Sequence, residues 1–174
     1  EHYDIVPDMV VIGKGLGGGI FPLAALIARE GLNDAMPERA LGHYTHEKNP
    51  VACAAALALI ELLEDGLLDH ARRMGDYALA RLETLRANYP IVSDVRGKGL
   101  MLGVELRDSA TKRRATDEAE AILYAALERG LSFKLTMGNI LVLTPALTIT
   151  EEEFDAALEI LDAAFAEVVS SREA

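Results

Sequence analysis

The chain has 174 residues, a formal net charge of -11 at pH 7 and a hydrophobic content of 51%. The length suits one domain or parts of two, and the acidic balance argues against nucleic acid or an anionic membrane as a partner. No apolar run approaches the length of a membrane span, and the single cysteine excludes an intrachain disulfide, so a reducing, cytoplasmic location is expected.

The first predicted elements place a lysine at the end of an apolar run. Residues 9–13 and 22–28 are predicted strands, and Lys14 opens the glycine-rich stretch between them. We expect this lysine to lie at the end of a buried strand. A lysine withdrawn from water can be neutral near pH 7 and can attack a carbonyl to form a Schiff base. The glycines allow the backbone to lie flat against a large ligand, because no Cβ intervenes. The alternative is a lysine in an ordinary surface turn.

The middle of the chain is predicted to form two helices. Asn49 followed by Pro50 is typical of a helix start. This first helix is apolar nearly all round, so we expect it to be buried, and Gly66 is predicted to end it after Asp65. The second helix is predicted to run to about Asn88, because apolar residues recur at spacings of three and four and indicate one packing face.

The last part of the chain, beginning at Pro90, is predicted to form a small α/β unit. Two pairs of short strands are predicted, residues 91–95 with 100–106 around a tight turn at 96–99, and residues 131–135 with 140–144. One helix begins at Thr116 and is stopped by Gly130, and another follows a capping box of Thr150 and Glu153. The latter helix carries an apolar stripe at Phe154, Leu158, Leu161, Phe165 and Val168. We expect the helices to pack on one face of a mostly antiparallel sheet.

Four segments in a fixed order carry motifs that are more specific together than any single glycine loop. They are residues 7–25, which contain Gly-Lys-Gly-Leu-Gly-Gly-Gly at 13–19, and residues 45–58, 95–106 and 143–153. These segments span nearly the whole chain. Together they resemble the class-III pyridoxal-phosphate-dependent aminotransferases, of which ornithine and 4-aminobutyrate aminotransferases are familiar members.

The resemblance implies an α/β fold, the C-terminal part of a fold-type-I pyridoxal-phosphate-dependent transferase. Residues 1–48 would end the large cofactor-binding domain, residues 49–89 would form connecting helices, and residues 90–174 would form the small C-terminal α/β domain. Members of the family are considerably longer than 174 residues. We therefore expect this chain to be an incomplete piece of such an enzyme, inactive or nearly so in isolation.

The resemblance also implies roles for two residues. Lys14 matches the lysine that holds pyridoxal 5'-phosphate as an internal aldimine and then moves a proton as general base and acid. Thr45 matches the threonine that reaches the cofactor phosphate, usually across a dimer interface, so a homodimer is expected. The implied substrates are a primary amine or amino acid as donor and an oxo acid as acceptor. The histidines show no metal-ligand spacing, and no metal is assigned.

One departure from the family pattern leaves the reaction open. Many members carry an arginine that grips the substrate carboxylate at the position of Val142, and valine cannot form such a clamp. Another cation, for which Lys134 is a candidate, can take its place. Alternatively the substrate carries a different anion, or the enzyme is an ammonia-lyase or an amino-acid racemase. A hypothesis of another class is a non-catalytic α/β interaction module, in which Lys14 lies open to water.

Overall fold

The computed structural model describes residues 2–32, 34 and 45–173 of the chain. These residues fall into two units, Glu1–Asp65 and Gly66–Ala174. The boundaries predicted from the resemblance, 48/49 and 89/90, concern the domains of a longer enzyme and stay a prediction. No helix among the described residues is long and apolar enough to cross a lipid bilayer.

The first unit contains a two-stranded antiparallel sheet and one long helix. Strand β1 is Met9–Ile12, and strand β2 is Ala25–Ala28. A 3₁₀ turn over Lys14–Gly17 follows β1, and helix α1 is Pro50–Leu62 and contacts that turn. The two strands were predicted, although β2 begins three residues later than expected. The irregular segment before α1 lies largely outside the described residues.

The expected burial of β1 and α1 is wrong for the described chain. Val11 is 77% exposed and Leu26 is 63% exposed, and all four residues of β1 are open to solvent. On α1 only Ala52 and Ala56 are buried. These apolar side chains are exposed because they lie on both faces of a two-stranded sheet, and the described residues of the first unit do not cover either face. Such strands are typical of the interior of a larger, covered sheet.

The start of α1 follows the sequence rule, but its end does not. Asn49 caps the helix, because its side chain accepts hydrogen bonds from the backbone N–H groups of Val51 (3.0 Å) and Ala52 (3.3 Å). Gly66 was predicted to end the helix and does not. It adopts φ of 97°, a left-handed value that suits glycine, inside a π-helical turn over Leu63–Leu67. That turn runs on into the next helix.

The second unit contains a four-stranded antiparallel sheet and three helices. Helix α2 is Leu68–Asn88, strand β3 is Val92–Lys98, β4 is Met101–Leu106, α3 is Thr116–Glu128, β5 is Lys134–Thr136, β6 is Ile140–Leu143 and α4 is Glu151–Glu173. The strand order is β3-β4-β6-β5. The predicted strand pairs and helices are confirmed, although β5 begins three residues later than predicted. The first hairpin turn is tighter than predicted, because β3 continues through Lys98 and leaves only Gly99 and Leu100 in the turn.

The helices cover one face of this sheet. Leu102, Val104 and Leu106 of β4 are buried, whereas the alternate residue Met101 is 69% exposed. Helix α2 contacts β3 and β4, α3 contacts β5 and β6, and α4 contacts α2 and α3. The predicted apolar stripe of α4 is buried in the core these elements share. The prediction of helices on one face of an antiparallel sheet is therefore confirmed.

Two polar features fix α4. The predicted capping box is present, because the Thr150 N–H donates to Glu153 Oε2 at 2.9 Å and the Glu153 N–H donates to Thr150 Oγ1 at 3.2 Å. Asp155 then joins α4 to α2, because it accepts hydrogen bonds at 2.8 Å from the hydroxyl of Tyr77 and from Nε of Arg81. The hydrogen bond from Tyr77 and the neighbouring Arg81 hold the pKa of the Asp155 carboxyl below its usual range.

Candidate active site

Lys14 lies in an unusual backbone conformation directly after β1. Its φ is 51°, in the left-handed region that non-glycine residues rarely adopt. The turn is closed by hydrogen bonds from the Leu16 N–H to the Gly13 carbonyl (3.2 Å) and from the Gly18 N–H to the Gly15 carbonyl (2.9 Å). A left-handed conformation held by its surroundings is a feature that clusters at functional sites. The predicted withdrawal of this lysine from water is wrong for the described chain, since Lys14 is exposed.

An open depression of about 570 Å³ lies beside Lys14. It is lined by Lys14, Gly19, Ile20, Phe21, Pro22, Leu23 and Ala24. A Cβ built at Gly15, Gly18 or Gly19 would meet no described atom within 4 Å, so these three glycines border open space. A flat ligand can approach such backbone closely. A primary amine beside a largely apolar depression that Gly19 borders suits a planar aromatic aldehyde.

Thr45 lies in the same unit, at the start of the exposed turn 45–48 that precedes α1. Among the described residues, no hydrogen bond joins it to Lys14. The start of α1 offers little to an anion: Pro50 has no N–H, the next two N–H groups bond to the side chain of Asn49, and the Cys53 N–H bonds to the carbonyl of Asn49. These N–H groups of α1 are therefore not available to bind a phosphate.

Val142 lies on the face of the second sheet that the helices leave open. It is half-buried, and its direct partner on β5 is Lys134. Its partner on β4 is Gly103, which in turn pairs with Arg96 of β3. Cross-strand partners point to the same side of a sheet. The structure thus places Lys134, the candidate cation, directly opposite Val142, where the resemblance leads one to expect an arginine.

A charged network on the same face was not predicted from the sequence. Arg96 was assigned to a turn, but it lies in β3 and forms ion pairs with Asp94 and with Glu105, the latter at 2.9 Å. Arg107 adds an ion pair to Glu105 at 2.7 Å. Burial raises the pKa of Glu105, but Arg96 and Arg107 together outweigh burial and hold that pKa below its usual value. The strand alternation of Asp94, Arg96 and Lys98 was the signal that could have revealed this face.

The second unit also contains an apolar cavity of about 210 Å³. It lies between the loop before β5, strand β6 and α4, and its lining includes Phe133, Pro145, Ile149 and Phe154. None of the described residues that line it is charged, so it offers no group for acid–base chemistry. Within the part of the chain that the structure describes, no three metal-ligating side chains come together either.

Comparisons with known proteins agree with the resemblance found in the sequence. The family described as Aminotransferase class-III matches residues 1–165. The chain is 46% identical to "(R)-1-hydroxy-2-aminoethylphosphonate ammonia-lyase" of Vibrio splendidus, over 97% of this chain and 35% of that protein. It is 43% identical to "Leucine/methionine racemase" of Thermococcus litoralis, over 99% of this chain and 39% of that protein.

A solved structure supports the same fold. The structure of an (S)-enantioselective omega-transaminase from Thermomicrobium roseum superposes with a TM-score of 0.86 and 32% sequence identity, over 96% of this chain and 39% of that one. The expected architecture, the C-terminal part of a fold-type-I transferase, is thereby confirmed. The chain spans 35% to 39% of the lengths of these three proteins.

Proposed function

The chain belongs to the class-III aminotransferase family, and we propose that Lys14 is the cofactor lysine of a pyridoxal-5'-phosphate-dependent aminotransferase. The observation that carries the proposal is the left-handed Lys14 beside the largely apolar depression that Gly19 borders. Amino-group transfer from a primary amine or amino acid to an oxo acid is the reaction proposed.

The residues of the first unit fit this cofactor. Lys14 supplies the primary amine that an aldehyde requires, and Gly15, Gly18 and Gly19 leave open space beside the turn. Thr45 supplies an exposed hydroxyl for the phosphate. When bound, pyridoxal phosphate acts as an electron sink for the substrate carbon that bears the amine.

The role proposed for Lys14 in turnover is proton transfer. With the cofactor bound, the Nζ of Lys14 would take a proton from the substrate carbon as general base and give it up again as general acid. Arginine could not replace Lys14, because a guanidinium stays charged and is a poor nucleophile. We further propose a cytoplasmic homodimer in which Thr45 contacts the cofactor of the neighbouring subunit, with residues 1–48, 49–89 and 90–174 as the three parts of the C-terminal region.

Val142 favours a second candidate function. The missing arginine removes the clamp expected for an oxo-acid partner, and two similar proteins are described as an ammonia-lyase and a racemase. Both reactions would use Lys14 in the same way and differ from transfer in the step after proton removal. A requirement for an oxo acid during turnover indicates transfer, ammonia release without an acceptor indicates elimination, and loss of optical rotation without net chemistry indicates racemisation.

The exposure of Lys14 is the observation that a non-catalytic interaction module predicts. Gly19, however, lines a depression next to that lysine, which a simple surface turn does not require. The two hypotheses differ in their chemistry. Only a cofactor lysine forms a reducible bond to pyridoxal phosphate in preference to other exposed lysines.

The test is borohydride reduction of the full-length protein with pyridoxal phosphate, followed by peptide mass mapping. We expect the label on Lys14 and its loss in Lys14→Ala. Lys48→Ala is a matched control, because Lys48 is also exposed and also left-handed, with φ of 55°. This variant should keep the label on Lys14. A label scattered over surface lysines, with Lys14 untouched, would overturn the proposal.

A further inference from the structure

A basic hairpin connects β4 to α3 in the second unit. Residues 107–114 contain three arginines and one lysine but a single acidic residue, in a chain whose formal net charge is -11. The cations are Arg107, Lys112, Arg113 and Arg114, and the acid is Asp108. Positive charge gathered in one short segment of an acidic protein creates a local potential that attracts anionic groups.

The backbone of this hairpin is closed by hydrogen bonds. The carboxylate of Asp108 accepts from the N–H groups of Ala110 (3.1 Å) and Thr111 (2.7 Å) and from the hydroxyl of Thr111 (2.9 Å). The Asp108 N–H also donates to the carbonyl of Arg113 at 2.9 Å and joins the two sides of the hairpin. The cationic side chains therefore start from fixed backbone positions.

Two of the arginines lie directly opposite each other. Arg107 and Arg114 form an antiparallel β-bridge, so their side chains leave the same side of the hairpin, where like charges destabilise the pairing. Arg107 forms an ion pair with Glu105 at 2.7 Å. Arg114 donates instead to a neutral group, the carbonyl of Met137, at 3.4 Å. The positive charge of Arg114 therefore weakens the hairpin locally and is better matched by an anion from outside it.

An apolar side chain lies beside these cations. Met137, in the turn between β5 and β6, is 61% exposed, and the guanidinium of Arg114 reaches its carbonyl. We call the basic surface the group of exposed residues Lys112, Arg113, Arg114 and Met137. Arginine and methionine are both enriched at interfaces between proteins, so the basic surface has the composition of such an interface.

We propose that the basic surface binds a short acidic segment of a partner protein, one that also carries an apolar side chain. The guanidinium of Arg114 can hold a carboxylate through two parallel hydrogen bonds, and Met137 provides a flexible apolar contact. A long polyanion such as nucleic acid fits less well, because it would extend beyond one hairpin onto a protein of net charge -11. Binding at this surface would be independent of Lys14 and its cofactor.

Fluorescence polarisation tests this binding with the cofactor-loaded full-length protein and a fluorescein-labelled peptide, Glu-Glu-Leu-Glu-Glu. Arg114→Gln should raise the dissociation constant about fivefold, the upper value for one exposed ion pair. Arg114→Lys should lose less affinity, because it keeps the charge but not the two parallel hydrogen bonds. Arg73→Gln is the matched control, since Arg73 is an exposed arginine of α2 outside the hairpin, and it should bind as the parent does. Equal binding by the parent, Arg114→Gln and Arg73→Gln would overturn the proposal.

The apolar contact has its own test. Met137→Ser should raise the dissociation constant of the leucine-containing peptide about fourfold, as expected for the loss of one methylene-sized contact, and leave that of an all-glutamate peptide unchanged. An equal loss for both peptides would refute an apolar contact at Met137, and with it the proposed kind of partner.

Urea unfolding separates a role in binding from a role in the fold. Because Arg114 faces Arg107, Arg114→Gln should leave the unfolding midpoint unchanged or raise it while binding weakens. A lower midpoint would show that Arg114 supports the fold and would overturn the proposal. A DNA duplex that bound more tightly than the peptide, and less tightly to Arg114→Gln than to the parent, would assign the basic surface to nucleic acid and would also overturn it.

Discussion

Replacing Gly75 with alanine should destabilise the second unit. Gly75 is buried in α2, where a Cβ would lie 2.5 Å from the carbonyl oxygen of Gly99 and 2.6 Å from its Cα. The helix and the hairpin turn would have to separate by about 1 Å to restore normal contact. Overpacking costs about 1–3 kcal/mol, and a backbone obstacle places this case near the upper end. Alanine has the higher helix propensity and stabilises the helix by about 1 kcal/mol relative to glycine. The expected net decrease in the free energy of unfolding is therefore about 2 kcal/mol.

The assay is urea unfolding followed by circular dichroism. With a slope of about 2 kcal/mol per molar urea, the midpoint of Gly75→Ala should fall by about 1 M. Asp76→Ala is the control, because Asp76 is the next residue of the same helix but is exposed, and it should leave the midpoint almost unchanged. A midpoint for Gly75→Ala equal to or above that of the parent would show that α2 and the hairpin do not touch at this point.

Two further predictions concern buried and linked polar groups. Asn139→Ala should lower the free energy of unfolding by about 1–2 kcal/mol, because it removes the buried hydrogen bond from Nδ2 to the carbonyl of Leu106. The same urea unfolding assay measures this change. An unchanged midpoint would contradict this. Asp155→Asn should destabilise the protein at neutral pH but not in acid. Its native pKa is held down by Tyr77 and the adjacent arginine, so the stabilisation is present above the unfolded pKa of about 4 and is lost as pH falls through the lower native value. A stability difference between Asp155→Asn and the parent that is independent of pH would refute the linkage.

Features set by residues a few positions apart could be predicted from the sequence. Thr150 and Glu153 cap each other across three residues, and Asn49 caps α1 within three residues. The apolar stripe of α4 has a fixed helical period, so its buried face followed directly from that spacing. These features need no knowledge of the rest of the fold, because both partners are brought together by the helix itself.

Features set by register or by distant partners could not be predicted. Lys134 and Val142 are opposite each other only because the turn between β5 and β6 fixes their pairing, and a shift of one residue would send Lys134 to the other face. Gly66 was expected to stop a helix, since a left-handed glycine usually does. The π-helical turn keeps the chain helical around it, and nothing in the local sequence distinguishes that outcome from a stop.

The exposure of Lys14 has the same origin as the exposure of β1. Val10 and Ile12 point to one face of that strand and Met9 and Val11 to the other, and all four are apolar yet open to solvent. A strand of this composition is stable only when both faces are covered. Lys14 is separated from Ile12 by a single residue, so a group that covered the end of β1 would lie next to the start of the lysine turn. Whether Lys14 is buried or exposed therefore depends on what packs around β1 and not on the lysine motif itself. For this reason the motif alone predicted a buried Lys14, which is wrong for this chain.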